Sequence, residues 1–246
     1  LIKVKNLRKS YGSLEVLKGI NLEMHKGEVI AIIGSSGTGK STFLRCLNYL
    51  EIPEEGQIMI DDLTVNAKET NKKEIYELRK KTSMVFQNYN LFENKTALGN
   101  IMEPLITVKK MHKRNAKEKA LNILKIIGLE DKKDSYPSML SGGQQQRISI
   151  GRAMGIEPKV MLFDEPTSAL DPELTGEVLD LIKSLARNHT TMIIVTHEID
   201  FAREAADRII FMDEGKFVEE GSPDKILNFP ENPRTIQFLK KAINNR

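Results

Sequence analysis

The sequence holds a single cysteine, Cys46, so no internal disulfide can form. Stability has to come from a buried core, and Cys46 itself is expected to be a small buried hydrophobe within it. No run approaches the roughly 18 apolar residues that a membrane span requires. No leader pattern is visible at the start, which is Leu1 and not Met. Any membrane role is therefore expected to come through a partner. Internal repeats, low-complexity tracts and sustained heptads are all missing. A large excess of charge of one sign is missing too. The formal net charge is +3, without the dense basic stripe of nucleic-acid-binding chains, so no nucleic-acid partner is expected. What is present is a chain of 246 residues, long enough to bury a core without metals or disulfides.

Hydrophobic patterning predicts the elements. Alternation over residues 1–6 and 14–24 predicts two strands around the turn Tyr11-Gly12-Ser13. Residues 28–33 form an apolar run ending in glycine, as a buried parallel strand would. A helix is expected over 40–50, stopped by Pro53, then strands over 57–61 and 82–86. Residues 111–128 are charged and amphipathic, with Leu121, Leu124 and Ile127 at helical spacing and Gly128 as a C-cap. Ser141 reads as the N-cap of a helix to about Met154. Short strands are expected at 160–163 and 192–195, with helices at 172–187 and after Glu198. Residues 208–212 and 216–219 read as a hairpin around Asp213-Glu214-Gly215, and the tail from Pro233 as helical. Strands alternating with helices predict an α/β fold with a mainly parallel sheet. Residues 89–155 look all-helical and are read as a subdomain inserted between 1–88 and 156–246.

Three stretches carry chemistry. Gly34-Ser35-Ser36-Gly37-Thr38-Gly39-Lys40-Ser41 fits the phosphate-cradling P-loop pattern. Its glycines let the backbone turn so that successive N–H groups face phosphate oxygens, and the following helix adds its positive end. Lys40 is a point charge for the β- and γ-phosphates, Ser41 offers a hydroxyl to Mg²⁺, and Thr42 continues the set. These features imply a nucleoside triphosphate as ligand and Mg²⁺ as companion. Asp164 and Glu165 close the apolar run 160–163. The first can reach the metal through water, and the second can polarise an attacking water. Read alone, such an acidic pair is a solvated turn. Leu140-Ser141-Gly142-Gly143-Gln144 opens a helix with a serine cap and two glycines, a further anion-binding element or else an ordinary helix start. A second phosphate reader makes sense if it reads the γ-phosphate held by another copy of the chain.

Together with Gln87, Ser168-Ala169-Leu170-Asp171 and His197, these stretches resemble the ATP-binding subunit of ABC transporters, in motif order and spacing, over essentially the whole chain. The resemblance implies a P-loop NTPase (RecA-like) core with an N-terminal antiparallel β part and the inserted helical subdomain. It implies that Tyr11 stacks on adenine, a contact worth roughly 1–3 kcal/mol. It gives Gln87 to Mg²⁺, the attacking water and the link to the membrane partner, and makes Glu165 the general base. His197 would hold the γ-phosphate and the water, and Asp171 would lie on a loop crossing a dimer interface. Two copies would close head to tail, with Ser141 and Gly143 completing the partner's site. Residues 85–92, 95–100 and 162–174 resemble the bacterial importers of polar amino acids, and Lys95-Thr96 with Val108-Lys109-Lys110 resemble the cystine importers among them. Permease subunits, an external solute-binding protein and a peripheral place on the cytoplasmic face of the membrane are implied. Alternatives are the ATPase of an exporter or lipoprotein-releasing complex, a soluble ATPase acting on DNA or ribosomes, and a non-hydrolysing module. The last is disfavoured by intact Glu165 and His197. Gly151 stands where the family commonly has alanine, which predicts a small stability cost. His25, His112 and His189 are expected at the surface. The basic run 109–119 reads as a solvated face, with lipid or permease contact as the alternative.

Overall fold

The structure, a computed structural model, describes residues 1–244, and their side chains as far as 242. The chain opens with β1 (Ile2–Tyr11) and β2 (Leu14–Met24) and continues with β3 (Val29–Ile33), whose loop leads into α1 (Lys40–Leu47). Next come β4 (Glu55–Ile60), β5 (Leu63–Asn66), α2 (Lys72–Lys81) and β6 (Thr82–Val85). A helical stretch holds α3 (Ala97–Thr107), α4 (Lys113–Ile126) and α5 (Gly142–Gly155). The chain then runs through β7 (Val160–Asp164), α6 (Pro172–Arg187), β8 (Met192–Val195) and α7 (Ile199–Ala205). The hairpin β9 (Arg208–Asp213)–β10 (Lys216–Gly221) precedes α8 (Pro223–Asn228) and α9 (Pro233–Asn244).

Two sheets result. The smaller is antiparallel, in the order β2-β1-β4-β5. The larger has the order β10-β9-β3-β8-β7-β6 and is parallel except for β10. Every residue of β3, β6, β7 and β8 is buried. That burial explains why these strands read as short apolar runs without alternation. Because the strands are parallel, the loops that follow β3, β6, β7 and β8 leave from one edge of the sheet. Open α/β sheets bind their ligands at that edge.

Phe43, Leu44 and Leu47 of α1 pack with β3 and the antiparallel sheet in one core, which also buries Cys46. A second core joins α3, α4 and α5 to Phe163 of β7 and to α6. Gly151 lies at the crossing of these helices. A Cβ there would stand 3.0 Å from Ile123 Cγ2, 3.0 Å from Ile127 Cδ1 and 3.3 Å from Ile101 Cδ1. The glycine thus admits the neighbouring isoleucines, a packing reason that helix propensity alone does not contain.

Several expected boundaries move. β1 runs on to Tyr11, so Tyr11 is the last strand residue, paired with Leu14, and is not part of the turn. Register shifts between Val4 and Leu7 and beyond break the alternation that defined the strand in the sequence. α1 ends at Leu47, three residues early, where Tyr49 takes a positive φ of 54° and is buried. α4 begins at Lys113, capped by His112, whose Nδ1 accepts from the Arg114 amide at 3.3 Å. β5, α2 and α8 are elements the hydrophobic pattern did not predict, and α3 falls within the stretch 89–155 expected to be helical, without bounds of its own. Of the basic run, Lys109 and Lys119 pair with Glu157 at 3.9 and 2.6 Å, and most of its other cations are exposed.

Candidate nucleotide-binding and hydrolysis site

The loop after β3 is shaped by close backbone approach. A Cβ on Gly34 would come within 2.2 Å of the Met212 carbonyl oxygen, so only glycine fits. Gly39 opens α1 at φ 102° and offers no capping side chain. The first amides of α1 are therefore left to a ligand, at the positive end of the helix. Ser35, Ser36 and Gly37 are exposed, whereas Thr38 is buried and its hydroxyl donates to Ser35 O at 3.0 Å. Lys40 is buried, with Nζ donating to Gly34 O at 2.8 Å and Ser35 O at 2.7 Å. Burial pushes its pKa down, and the nearby Glu165 and Asp164 carboxylates oppose that.

A cavity of about 280 Å³ opens here. Ser36, Gly37, Gly39, Lys40, Ser41 and Thr42 line it, facing Val16 and Glu165. A larger cavity of about 400 Å³, around Leu1, Met154 and Leu185, lies at the opposite ends of β7 and β8 and holds none of the motif residues. The chemistry belongs to the smaller one.

Asp164, the buried last residue of β7, accepts the Ser41 hydroxyl at 2.6 Å. Its other oxygen is 3.5 Å from Arg45 Nη2. A hydroxyl and a carboxylate beside a phosphate cradle form the all-oxygen donor set that suits Mg²⁺, so the residues present fit that ion.

Glu165 stands just beyond the strand in the left-handed region, at φ 47°. Such a conformation persists only where the surroundings hold it. Here the Glu165 amide donates to Val195 O at 3.0 Å, and its carbonyl accepts from the Ser168 amide at 3.3 Å and hydroxyl at 3.0 Å. Its Oε1 lies 2.8 Å from Nε2 of His197, which follows β8. That hydrogen bond is the largest influence holding the Glu165 carboxyl below the usual carboxylate range. Burial works against it, and electrostatic attraction to His197 and Lys40 adds to it. An ionised carboxylate aimed at a phosphate cradle can take a proton from water.

The remaining candidates lie outside the cavity. Tyr11 is exposed at the end of β1, with Lys9 Nζ 5.1 Å from its ring centroid. Burial raises its hydroxyl pKa, and a hydrogen bond to Thr42 lowers it, which places the ring beside α1. Gln87 is exposed in the turn after β6. Ser141 and Gln144 form a capping box, with Gln144 N donating to Ser141 Oγ at 3.3 Å and Ser141 N donating to Gln144 Oε1 at 3.0 Å. Gly142 sits against the Tyr89 hydroxyl and Leu170, and Gly143 against Leu174. None of residues 141–144 lines the cavity. The structure thus brings together the loop 34–42, Asp164, Glu165 and His197, while Gln87 and residues 141–144 do not line the cavity. No motif marks Arg45 beside Asp164, nor Gln146 and Arg152, which donate to the carbonyls of Phe86 and Pro166 and of Tyr89 and Asn90. Gln146 left one signal, a polar side chain on the buried face of α5.

The family model described as ABC transporter matches residues 17–168. The chain belongs to the ABC transporter family. A model described as an AAA domain, putative AbiEii toxin, Type IV TA system, matches residues 138–203 only. Among curated ABC relatives, the probable amino-acid import ATP-binding protein YxeO of Bacillus subtilis (strain 168) is 55% identical over 98% of this chain and 97% of its own length. The L-cystine import ATP-binding protein TcyN of the same organism is 53% identical over 98% of this chain and 93% of its own. Among solved structures, the dimeric post-hydrolysis state of the ATP-binding cassette MJ0796 bound to ADP and Pi superposes with a TM-score of 0.80. It is 36% identical and covers 91% of this chain and 99% of that one. The chain is thus a P-loop ABC ATPase that couples ATP hydrolysis to transport.

Proposed function

We infer that this chain is the ATP-hydrolysing subunit of a bacterial importer of polar amino acids, with cystine as a candidate solute. The observation that carries the hydrolytic part is the Glu165–His197 contact at the mouth of the Lys40 cavity. The names of the relatives support the amino-acid part.

In this reading the phosphates of ATP rest on the amides of residues 36–42. The Lys40 ammonium, shared here by two carbonyls, turns to the β- and γ-phosphates. Tyr11 stacks on the adenine. Ser41 and Asp164 would hold Mg²⁺, with Gln87 reaching toward it, and the ion when bound neutralises charge on the phosphate oxygens. Glu165 takes a proton from the water as its oxygen bonds to the γ-phosphorus. The bond to the β–γ bridging oxygen breaks, and ADP and phosphate leave. His197 orients Glu165 and the γ-phosphate. Little covalent chemistry is asked of the protein, because phosphoryl transfer rests on positioning and charge stabilisation.

The site is half of a pair. Ser141, Gly142, Gly143 and Gln144 from a second copy complete it head to tail, and the loop at Asp171 crosses between the copies. The exclusion of 141–144 from the chain's own cavity supports this, as does the dimeric state of the MJ0796 cassette. In this reading residues 1–88 and 156–246 make up the β-subdomain plus nucleotide-binding core and 89–155 the helical subdomain, with 245 and 246 outside the described residues. Among the described residues no helix is long and apolar enough to cross a membrane. The chain sits peripherally on the cytoplasmic face, beneath permease subunits fed by an external solute-binding protein. The test is ATP-dependent uptake by the reconstituted complex across a panel of amino acids. Uptake of one or a few polar amino acids supports the reading, and uptake of none refutes it.

A further inference from the structure

Gln146 is fully buried although it ends the polar triplet 144–146. It stands on α5, just past the Ser141–Gln144 capping box. Its Nε2 donates to Phe86 O at 3.2 Å and to Pro166 O at 2.8 Å. The first carbonyl belongs to the peptide that leads into Gln87, and the second to the residue that follows Glu165. An amide nitrogen carries two hydrogens, and both are used. The flipped amide would set Oε1 against two carbonyls, so donation fixes the orientation. Oε1 itself is buried without a hydrogen-bond partner. An apolar side chain of similar shape would avoid that desolvation cost, so packing alone does not account for a glutamine here.

The segments it joins are otherwise held from different sides. Glu165 is tied to β8 through Val195 and to Ser168. Tyr89 and Asn90, past Gln87, take positive φ values of 56° and 51°. Arg152, also on α5, donates to their carbonyls at 3.1 and 2.7 Å. Among the described residues, Gln146 is the one side chain that hydrogen-bonds to the backbone beside both Gln87 and Glu165.

We propose that Gln146 is a positioning residue for hydrolysis, coupling the backbone at Gln87 to that at Glu165 so that displacement of the α5 helix moves both together. The proposal rests on the reading of Glu165 as base and Gln87 as its companion at the γ-phosphate. Misplacement of reacting groups by about 1 Å costs on the order of a hundredfold in rate.

The test compares Gln146→Leu, Gln146→Glu and Glu165→Gln in the full-length chain, reading kcat, ATP affinity and Tm. Leucine removes both donors and the orphan acceptor. The expected result is a folded protein with ATP affinity within about twofold of the parent and kcat lower by about tenfold or more. Glutamate restores one donor only when protonated, and burial between two carbonyls raises its pKa. Its kcat, divided by that of the parent at each pH, should therefore rise as pH is lowered from about 8 to about 6. Parental kcat in a folded Gln146→Leu overturns the proposal, and so does a flat ratio for Gln146→Glu, which settles the matter if the leucine variant does not fold. Normal turnover in Glu165→Gln overturns the underlying reading instead, which separates the two failures.

Discussion

At the scale of single residues, the site is a set of side chains restrained by buried or partly buried hydrogen bonds. Lys40 is buried on two carbonyls. Replacing it with alanine removes charge-assisted hydrogen bonds worth about 1.5–3 kcal/mol, so ATP affinity should fall by roughly ten- to hundredfold. Unchanged affinity by calorimetry would contradict the assignment. Glu165 is held below the usual carboxylate range by its His197 hydrogen bond. A depressed folded-state pKa contributes stability that is present above the unfolded value, about 4.3, and lost as pH falls through the folded one. Glu165→Gln should lack that dependence, so the stabilities of parent and variant should draw together as pH falls below the unfolded value and through the lower folded one. The same variant should bind ATP without turnover. Cys46 is buried, and its thiol is pushed up to about 12. It should resist alkylation at pH 8 until the protein unfolds. Its sign is opposite: the unfolded thiol ionises near 8.5 while the folded one stays protonated, so stability is lost as pH rises from there toward 12.

At the scale of elements, burial pattern separates what sequence revealed from what it hid. β7, β8 and α6 were legible because apolar runs or helical spacing end at clear stops, Asp164, Val195 and the Asp171–Pro172 start. The second half of β1 was hidden by register shifts that break alternation. β5 buries one residue, Val65, and α2 buries one, Leu78, too few to set a period. α2 still carried a readable cap, since Asn71 and Glu74 form a capping box. α3 was masked by Gly99 and Pro104 within it. In the site, the loop 34–41 and Asp164 could be read from residue chemistry. The roles of Tyr11, Gln87 and His197 came only through resemblance, because a lone tyrosine, glutamine or histidine has no diagnostic spacing. Gly151 makes the element-scale prediction. Alanine gains helix propensity of up to ~1 kcal/mol but must displace Ile123 and Ile127. Overpacking of this kind costs about 1–3 kcal/mol, so Gly151→Ala should lower the urea midpoint, and a raised midpoint would show that the isoleucines yield freely.

At the scale of the whole molecule, the two segments proposed to read phosphate occupy separate places on one chain. The loop 34–41 lines the cavity beside Glu165, while Ser141 caps α5 outside it. In the proposed head-to-tail pair, a single chain offers the cradle of one site and the closing half of another. Hydrolysis would then be tied to the meeting of two copies, which would give ATP a way to time movement beneath a membrane partner. The measurement that tests this most directly mixes Lys40→Ala protein with a Ser141→Arg variant and follows ATP turnover. Each parent spoils both shared sites of its own dimer, whereas the mixed dimer keeps one site with Lys40 and Ser141 intact. The account predicts turnover in the mixture well above either parent alone; turnover no higher than the parents would contradict a site shared between two copies.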